Sequence, residues 1–202
     1  VTDPVRLEAL DTGLRNVAFH LARALYRAGL LERAESAVGE LLAVDDVVGL
    51  AVGTRPDCAP SDVLDLLGEY HQSTYFWLEL GLQSSHDRTL NRIQRGHDYA
   101  TFAEAYSQAK ARELNICVHV ILGLPGESRD DMLATADILA ELKVDGVKLH
   151  LLHVLKNTPL GQMYAEHKSE MLDMDEYVEL VVDVVERLPR QTLIHLLTGD
   201  GP

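Results

Sequence analysis

The chain has 202 residues, 47% of them hydrophobic and 25% charged, which suits one globular domain with a normal core. Its formal net charge of −14 at pH 7 argues against a general binder of phosphate backbones, which works through clustered Lys and Arg. No apolar run reaches transmembrane length and no signal-peptide layout opens the chain, while the two cysteines, Cys58 and Cys117, do not suggest a disulfide framework, so a reducing cytoplasm is the expected setting.

Residues 1–43 read as helix. Asp3-Pro4 offers an N-cap followed by proline at the first helical position, and Leu14, Val17, Ala18, Leu21 and Leu25 recur at helical spacing. At Val47 the character changes. Val47 to Val52 is a continuous apolar run, the pattern of a strand buried on both faces, closed by Gly53-Thr54-Arg55-Pro56. Ser61 or Asp62 then caps a helix through Leu67. A strand follows over 75–82, a short polar helix within 84–94, and a longer helix over about 101–114. The third strand spans 116–122 and closes on Gly123-Leu124-Pro125-Gly126-Glu127. A helix over 129–142, a strand over 146–154, a connecting segment at Asn157-Thr158-Pro159, a helix over 174–188 and a fifth strand over 192–197 complete the order.

Strand and helix alternate with roughly 30–35 residues per unit, the size of a βαβ repeat. Such alternation requires a parallel sheet with right-handed crossovers. A closed barrel of this kind takes about 250 residues, so four or five strands here imply an incomplete barrel or an open parallel sheet. In either arrangement a ligand sits at the C-terminal ends of the strands. Two domains are expected, a helical segment over 1–43 and the α/β unit over 44–202.

The residues suited to chemistry cluster at those strand ends. Gly81 lets a ligand approach the backbone, Gln83 offers donor and acceptor, and Arg95 can clamp a carboxylate. The bland alternative makes Gln83 a helix cap and Arg95 a surface ion-pair partner. Gly123, Pro125 and Gly126 force a tight turn whose N–H groups suit an anion or a cofactor edge, against an ordinary strand-to-helix turn with Glu127 complementing the helix dipole. Arg55 leaves a strand beside a proline and suits a carboxylate or phosphate, against a surface pair with Asp57. Alternation puts Lys148 and His150 on one face and His153 on the other. No local set of His, Cys, Asp and Glu has metal-ligand spacing.

In order, these runs resemble a known family. Glu79-Leu-Gly-Leu-Gln-Ser-Ser-His-Asp-Arg-Thr-Leu, then Arg95-Gly-His97, then His119-Val-Ile-Leu-Gly-Leu-Pro-Gly-Glu127 are similar to the middle and later strands of the radical SAM superfamily, in its elongator-like and coproporphyrinogen-dehydrogenase-like branch. Gly53-Thr-Arg-Pro-Asp-Cys58, Lys148 to Lys156 and the stretch from Ile194 to Asp200 resemble an uncharacterised bacterial group within it. The resemblance covers about residues 45–202. It implies a partial (β/α) barrel of the radical SAM type with outer helices. It also implies reductive cleavage of S-adenosylmethionine to a 5′-deoxyadenosyl radical, using a 4Fe–4S cluster. By the same resemblance Gln83 and Arg95 contact the amino-acid part of S-adenosylmethionine, His119 lies near the ribose, Gly123 to Gly126 lies against the adenine, and Arg55 faces cofactor or substrate. Glu79, Lys148 and His150 are candidates to line the substrate site.

The departure is the cluster. The family binds it through three closely spaced cysteines, and Cys58 and Cys117 do not make that spacing. As it stands this chain is expected to perform no radical chemistry. Two other readings stand beside an enzyme represented in part: a non-catalytic domain that binds a nucleoside or a partner, and an ordinary parallel-barrel enzyme using Lys148 or His150. An RNA partner is implied only by analogy with elongator-like relatives.

Overall fold

A computed structural model of the protein describes residues 47–166 and 171–198, together with Val38, Gly39 and Leu42, which are helical. The rest of the helix expected over 1–43 lies outside the described residues. Two compact units divide the chain, Val1–Leu50 and Ala51–Pro202, and nearly every described element belongs to the second.

Five strands form one sheet in the order β1 (Gly49–Thr54), β2 (Tyr75–Gln83), β3 (Ile116–Leu122), β4 (Gly146–Leu151) and β5 (Leu193–Leu196). The pairings β2–β3, β3–β4 and β4–β5 are parallel. Between them run helices α1 (Ser61–Ser73), α2 (Asp87–Arg92), α3 (Tyr99–Lys110), α4 (Arg129–Leu142), α5 (Pro159–Ala165) and α6 (Met174–Arg187). The result is a partial α/β barrel, one of the two arrangements that the alternation left open.

The period of two along each strand decides what faces where. In β2 the even positions Phe76, Leu78, Leu80 and Leu82 are fully buried, and the odd positions Trp77, Glu79, Gly81 and Gln83 share the opposite face. β3 repeats this, with Ile116, Val118, Val120 and Leu122 on the buried side and Cys117 and His119 on the other. Val147 and Leu149 of β4 are buried, with Lys148 and His150 opposite. Helices cover the apolar face. α1 and α3 pack on β2, α3 also on β3, and α4 packs against α6. Leu64, Phe102, Met132, Leu139 and Leu180 fill the layer between. The polar face is left as the concave side.

Local chemistry fixes the helix starts. Ser128 and Asp131 form a capping box on α4, and Asp173 and Glu176 form one on α6. α3 starts at Tyr99, because the Asp98 side chain accepts from the Thr101 N–H. α1 departs from expectation: its N-cap position is Pro60, with no side-chain cap from Ser61 or Asp62, and it runs on to Ser73.

Two strands also differ. β1 spans Gly49–Thr54 and is half-buried, with Ala51 exposed, because it lies at the end of the strand order with β2 as its neighbour. β4 stops at Leu151 instead of reaching Val154. Its partner β3 ends at Leu122, whose carbonyl takes a last bond from the Leu152 N–H at 3.1 Å. The segment after Asn157 is not a plain connection but carries α5, with Thr158 as its cap.

At the N-terminal end of the sheet, Asp145 ties three elements together. Its carboxylate accepts from Lys110 Nζ at 2.9 and 2.8 Å and from the Ile116 N–H at 2.9 Å. Asp145→Ala leaves that buried backbone donor unpaired, so unfolding in urea should show a loss of about 1–3 kcal/mol. A loss below about 0.5 kcal/mol would show that the tie is incidental.

Candidate functional site

Gln83 and Arg95 meet over Gly81. A Cβ on Gly81 would lie 2.4 Å from Arg95 Nη2 and 2.6 Å from Gln83 Nε2, so both heads occupy the space that the missing side chain leaves. Arg95 Nη2 donates to the Gly81 carbonyl at 3.2 Å, and His97 Nε2 stands at the same oxygen, also at 3.2 Å. Arg95 Nε is buried and has no hydrogen-bond partner. Burial, with Arg55 nearby, lowers the Arg95 pKa from its ordinary value.

The backbone aims Gln83 there. The β2–β3 register slips between Gly81 and Gln83, and Gln83 has φ of 73°, the left-handed region that a non-glycine residue rarely adopts. A bulge that re-aims a side chain beside a site is a recurrent device. Gln83 does not cap α2, whose N-cap residue is His86.

Arg55 sits on the same rim. Its guanidinium lies 3.3 Å from the position of a Cβ on Gly96, directly after Arg95. It is also bonded to Asp57, with Nε donating to Oδ1 at 2.9 Å and Nη2 to Oδ2. The Asp57 pair is therefore made. It raises the Arg55 pKa and lowers that of Asp57.

The Gly123–Gly126 turn borders this rim through a contact that the sequence did not disclose. The Ser84 hydroxyl donates to Glu127 Oε1, so Glu127, directly before the N-cap of α4, is turned inward toward the end of β2. Burial raises its pKa. Gly123 and Gly126 both have φ of 85°, as the tight turn requires. The turn is not an open anion nest, however. The Gly123 N–H donates to Met132 Sδ at 3.1 Å, the Glu127 N–H to the Leu124 carbonyl at 3.1 Å, and the Ser128 N–H to Asp131. Arg92 reaches over Gly126, its Nη1 2.6 Å from where a Cβ would be. Arg92 is thus a further rim cation, not singled out by the sequence pattern.

Deeper in the concavity, Glu79 bridges three strands. Its Oε2 is 3.1 Å from His119 Nε2 on β3, and its Oε1 takes Lys148 Nζ of β4 at 2.5 Å. His119 Nδ1 is 3.2 Å from His150 Nε2. Glu79 is only 17% exposed. The hydrogen bond from His119, then Lys148, outweighs burial and holds the Glu79 carboxyl down at about 2. Burial, then the neighbouring His119 and Lys148, lowers the His150 pKa. Both nitrogens of His119 are engaged here, so a ribose contact would have to displace one of them. His195, at the floor, lies edge-on to Trp77 with centroids 4.4 Å apart, and its Nε2 stands 2.7 Å from where Gly146 would carry a Cβ.

Two family models match the chain. The model of the Radical SAM superfamily matches residues 6–139, and that of the Radical SAM C-terminal domain matches residues 144–202. The chain belongs to the radical SAM superfamily. Protein YtqA of Bacillus subtilis is 48% identical over 162 residues, covering 80% of this chain and 50% of YtqA. The chain thus spans about half the length of the curated relatives it matches. Among solved structures, Elp3 of the archaeon Methanocaldococcus infernus superposes with a TM-score of 0.69 at 23% identity, over 77% of this chain and 36% of Elp3. Coproporphyrinogen III oxidase of Escherichia coli gives 0.58 at 16% identity, over 78% and 36%. These likenesses show a shared fold, the partial radical SAM barrel. No helix among the described residues is long and apolar enough to cross a membrane.

Because Glu79 ionises more readily folded than at its ordinary value of 4.5, its contribution is complete above pH 4.5 and disappears as pH falls toward about 2. Denaturant unfolding of wild type and Glu79→Gln across that range should show the wild-type advantage shrinking with acid. A constant difference would contradict the pairing.

Proposed function

We propose that this chain supplies the S-adenosylmethionine-holding rim and the substrate cavity of a radical SAM enzyme. One observation carries the reading: Gln83 and Arg95 converge over Gly81, and Arg95 Nε is a buried donor with no partner. A buried cationic donor without a partner is costly, and a ligand carboxylate relieves that cost. Arg95 would take the carboxylate of the methionine moiety, with Gln83 beside it offering amide donor and acceptor. Leu124, Pro125 and Gly126 would present backbone to the adenine edge, and Arg55 would line the outer rim. When bound, S-adenosylmethionine supplies the carbon–sulfur bond whose reductive cleavage is the chemistry of the family.

The 4Fe–4S cluster does not fit this chain's own residues. Such a cluster needs at least three thiolates, and the sequence has two cysteines. Cys117 is buried, and burial together with Glu79 pushes its thiol up to about 12, so it stays protonated. Among the described residues no group of three or more His, Cys, Asp and Glu is placed to hold a metal ion. Reductive cleavage therefore requires thiolates from outside these 202 residues. For the chain itself, the activity proposed is holding the nucleoside and enclosing the substrate.

Within the alternative of an ordinary parallel-barrel enzyme using Lys148 or His150, the Lys148 route is disfavoured by geometry. Lys148 donates to Glu79 at 2.5 Å as an ammonium, which has no lone pair to offer a carbonyl. An RNA substrate, implied by elongator-like relatives, gains no support from a net charge of −14.

Calorimetric titration of the 202-residue chain with S-adenosylmethionine tests the reading. Saturable binding is expected, weakened roughly 10-fold or more in Arg95→Ala, as for a lost charge-assisted hydrogen bond. Gly81→Ala should fold, since only the ends of flexible side chains must move, yet bind poorly because both heads are displaced. An analogue lacking the carboxylate should not distinguish wild type from Arg95→Ala. Unchanged affinity in Arg95→Ala would overturn the assignment.

A further inference from the structure

The hydrogen bonds around Glu79 fix more than side-chain positions; they fix where the protons are. A carboxylate only accepts, so His119 Nε2, 3.1 Å from Glu79 Oε2, must carry a hydrogen. In neutral His119 the lone pair is then on Nδ1. That atom faces His150 Nε2 at 3.2 Å, so His150 must donate through Nε2–H. The lone pair of His150 is thereby placed on Nδ1, which has no hydrogen bond among the described residues. The two rings are inclined by only 30°, with centroids 5.2 Å apart, an edge-to-edge approach that suits this bond.

We propose that Glu79, His119 and His150 form a one-proton relay whose working end is Nδ1 of His150, placed to exchange a proton with a hydroxyl or N–H group of a ligand in the concavity. When the ligand gives up its proton, a new N–H bond forms at His150 Nδ1. The Nε2–H bond of His150 breaks, its proton joins His119 Nδ1, and its electron pair stays on His150. The positive charge ends on His119, beside the Glu79 carboxylate. The reverse sequence returns the proton. No electron is transferred, and the only co-reactant is the protic ligand.

The surroundings explain why the charge moves inward. His150 is half-buried, and Lys148 and His153 both disfavour a cation on it. His119 has the carboxylate at contact distance. Among the described residues, the charged and titratable groups around the pair are Glu79 from β2, Lys148 from β4, His153 after β4 and His195 from β5, while Cys117 of β3 lies near Glu79 and Lys148. Glu79 is the anion in that set. Lys148 holds the second carboxylate oxygen and so fixes which oxygen faces His119. In this scheme His150 is the group that meets the ligand, while His119, Glu79 and Lys148 position and bias it. His150 lies one residue before the end of β4, at the same strand ends as Gln83.

The test uses the ligand-free 202-residue chain with 15N-labelled histidine, followed by long-range proton–nitrogen correlation spectra from about pH 4 to 9. At the upper end, both rings should show the Nε2–H form. On acidification the pair should take up one proton, with the signals of both rings sharing a single midpoint. Glu79→Gln should lower that midpoint by at least one pH unit, a tenfold loss of proton affinity. Lys148→Met should raise it, a shift of opposite sign that loss of packing would not produce. An Nδ1–H form of His119 at high pH, two unrelated midpoints, or a midpoint that ignores both substitutions would overturn the relay. Because no S-adenosylmethionine is present, failure here is separate from failure of the rim to bind it.

Discussion

The Glu79 carboxylate is the interaction on which the concave face depends. It draws His119 of β3 and Lys148 of β4 to one point on β2, so a single acidic group organises the polar side of three adjacent strands. A carboxylate, an ammonium and an imidazole in a half-buried hollow would each be costly alone. Together they satisfy one another, and the low Glu79 pKa expresses that balance. Removing Glu79 therefore does more than delete one bond, because it leaves both Lys148 and His119 without their acceptor. The polar hollow of the barrel is in this sense one structural unit spread over a long stretch of sequence.

The rim uses another kind of constraint. Gly81 has no side chain, and two polar heads fill the vacancy. One residue later the register slips, and Gln83 enters the left-handed region. An amide side chain that continued the regular pleat would simply follow Glu79 up the face. The slip turns it back over Gly81, toward Arg95. Strain of this kind persists only where neighbours over-determine it. Here Ser84, the next residue, is 1% exposed and donates to Glu127. The end of β2 is thus pinned to the turn after β3, and the two parts of the rim are held together.

Much of the fold was legible because period and punctuation are local. The third strand and the helix after it run over the residues that the pattern indicated, since Gly123 and Pro125 mark one border and Ser128 caps the next element. The strand after it was read three residues too long, because its end depends on where β3 ends, which is not a property of its own residues. The continuous apolar run at Val47 suggested full burial, but its place at the end of the strand order decides its exposure. Glu79, Lys148 and His150 were visible as polar residues on strands, whereas the order in which they join was not, since it follows from the β2–β3–β4 register. Arg92 and the Ser84–Glu127 pair left no local signal, because each is a contact between segments with at least a helix and a strand between them.

Charge shows how far a whole-chain number can mislead about a site. At −14 the chain as a whole repels anions. Yet Arg55, Arg92, Arg95 and Lys148 gather at the rim and in the concavity, against Glu79, Asp57 and Glu127, before any histidine is counted. Two of those cations are already paired, Lys148 with Glu79 and Arg55 with Asp57. Arg95 is different: its Nε is buried and carries no bond. Acidic residues elsewhere on the molecule are screened from the hollow within about 8–10 Å of salt solution. The same chain can therefore be strongly acidic in total and still hold a buried guanidinium nitrogen without a partner at the rim, so the position of that one group, not the total, describes the local charge there.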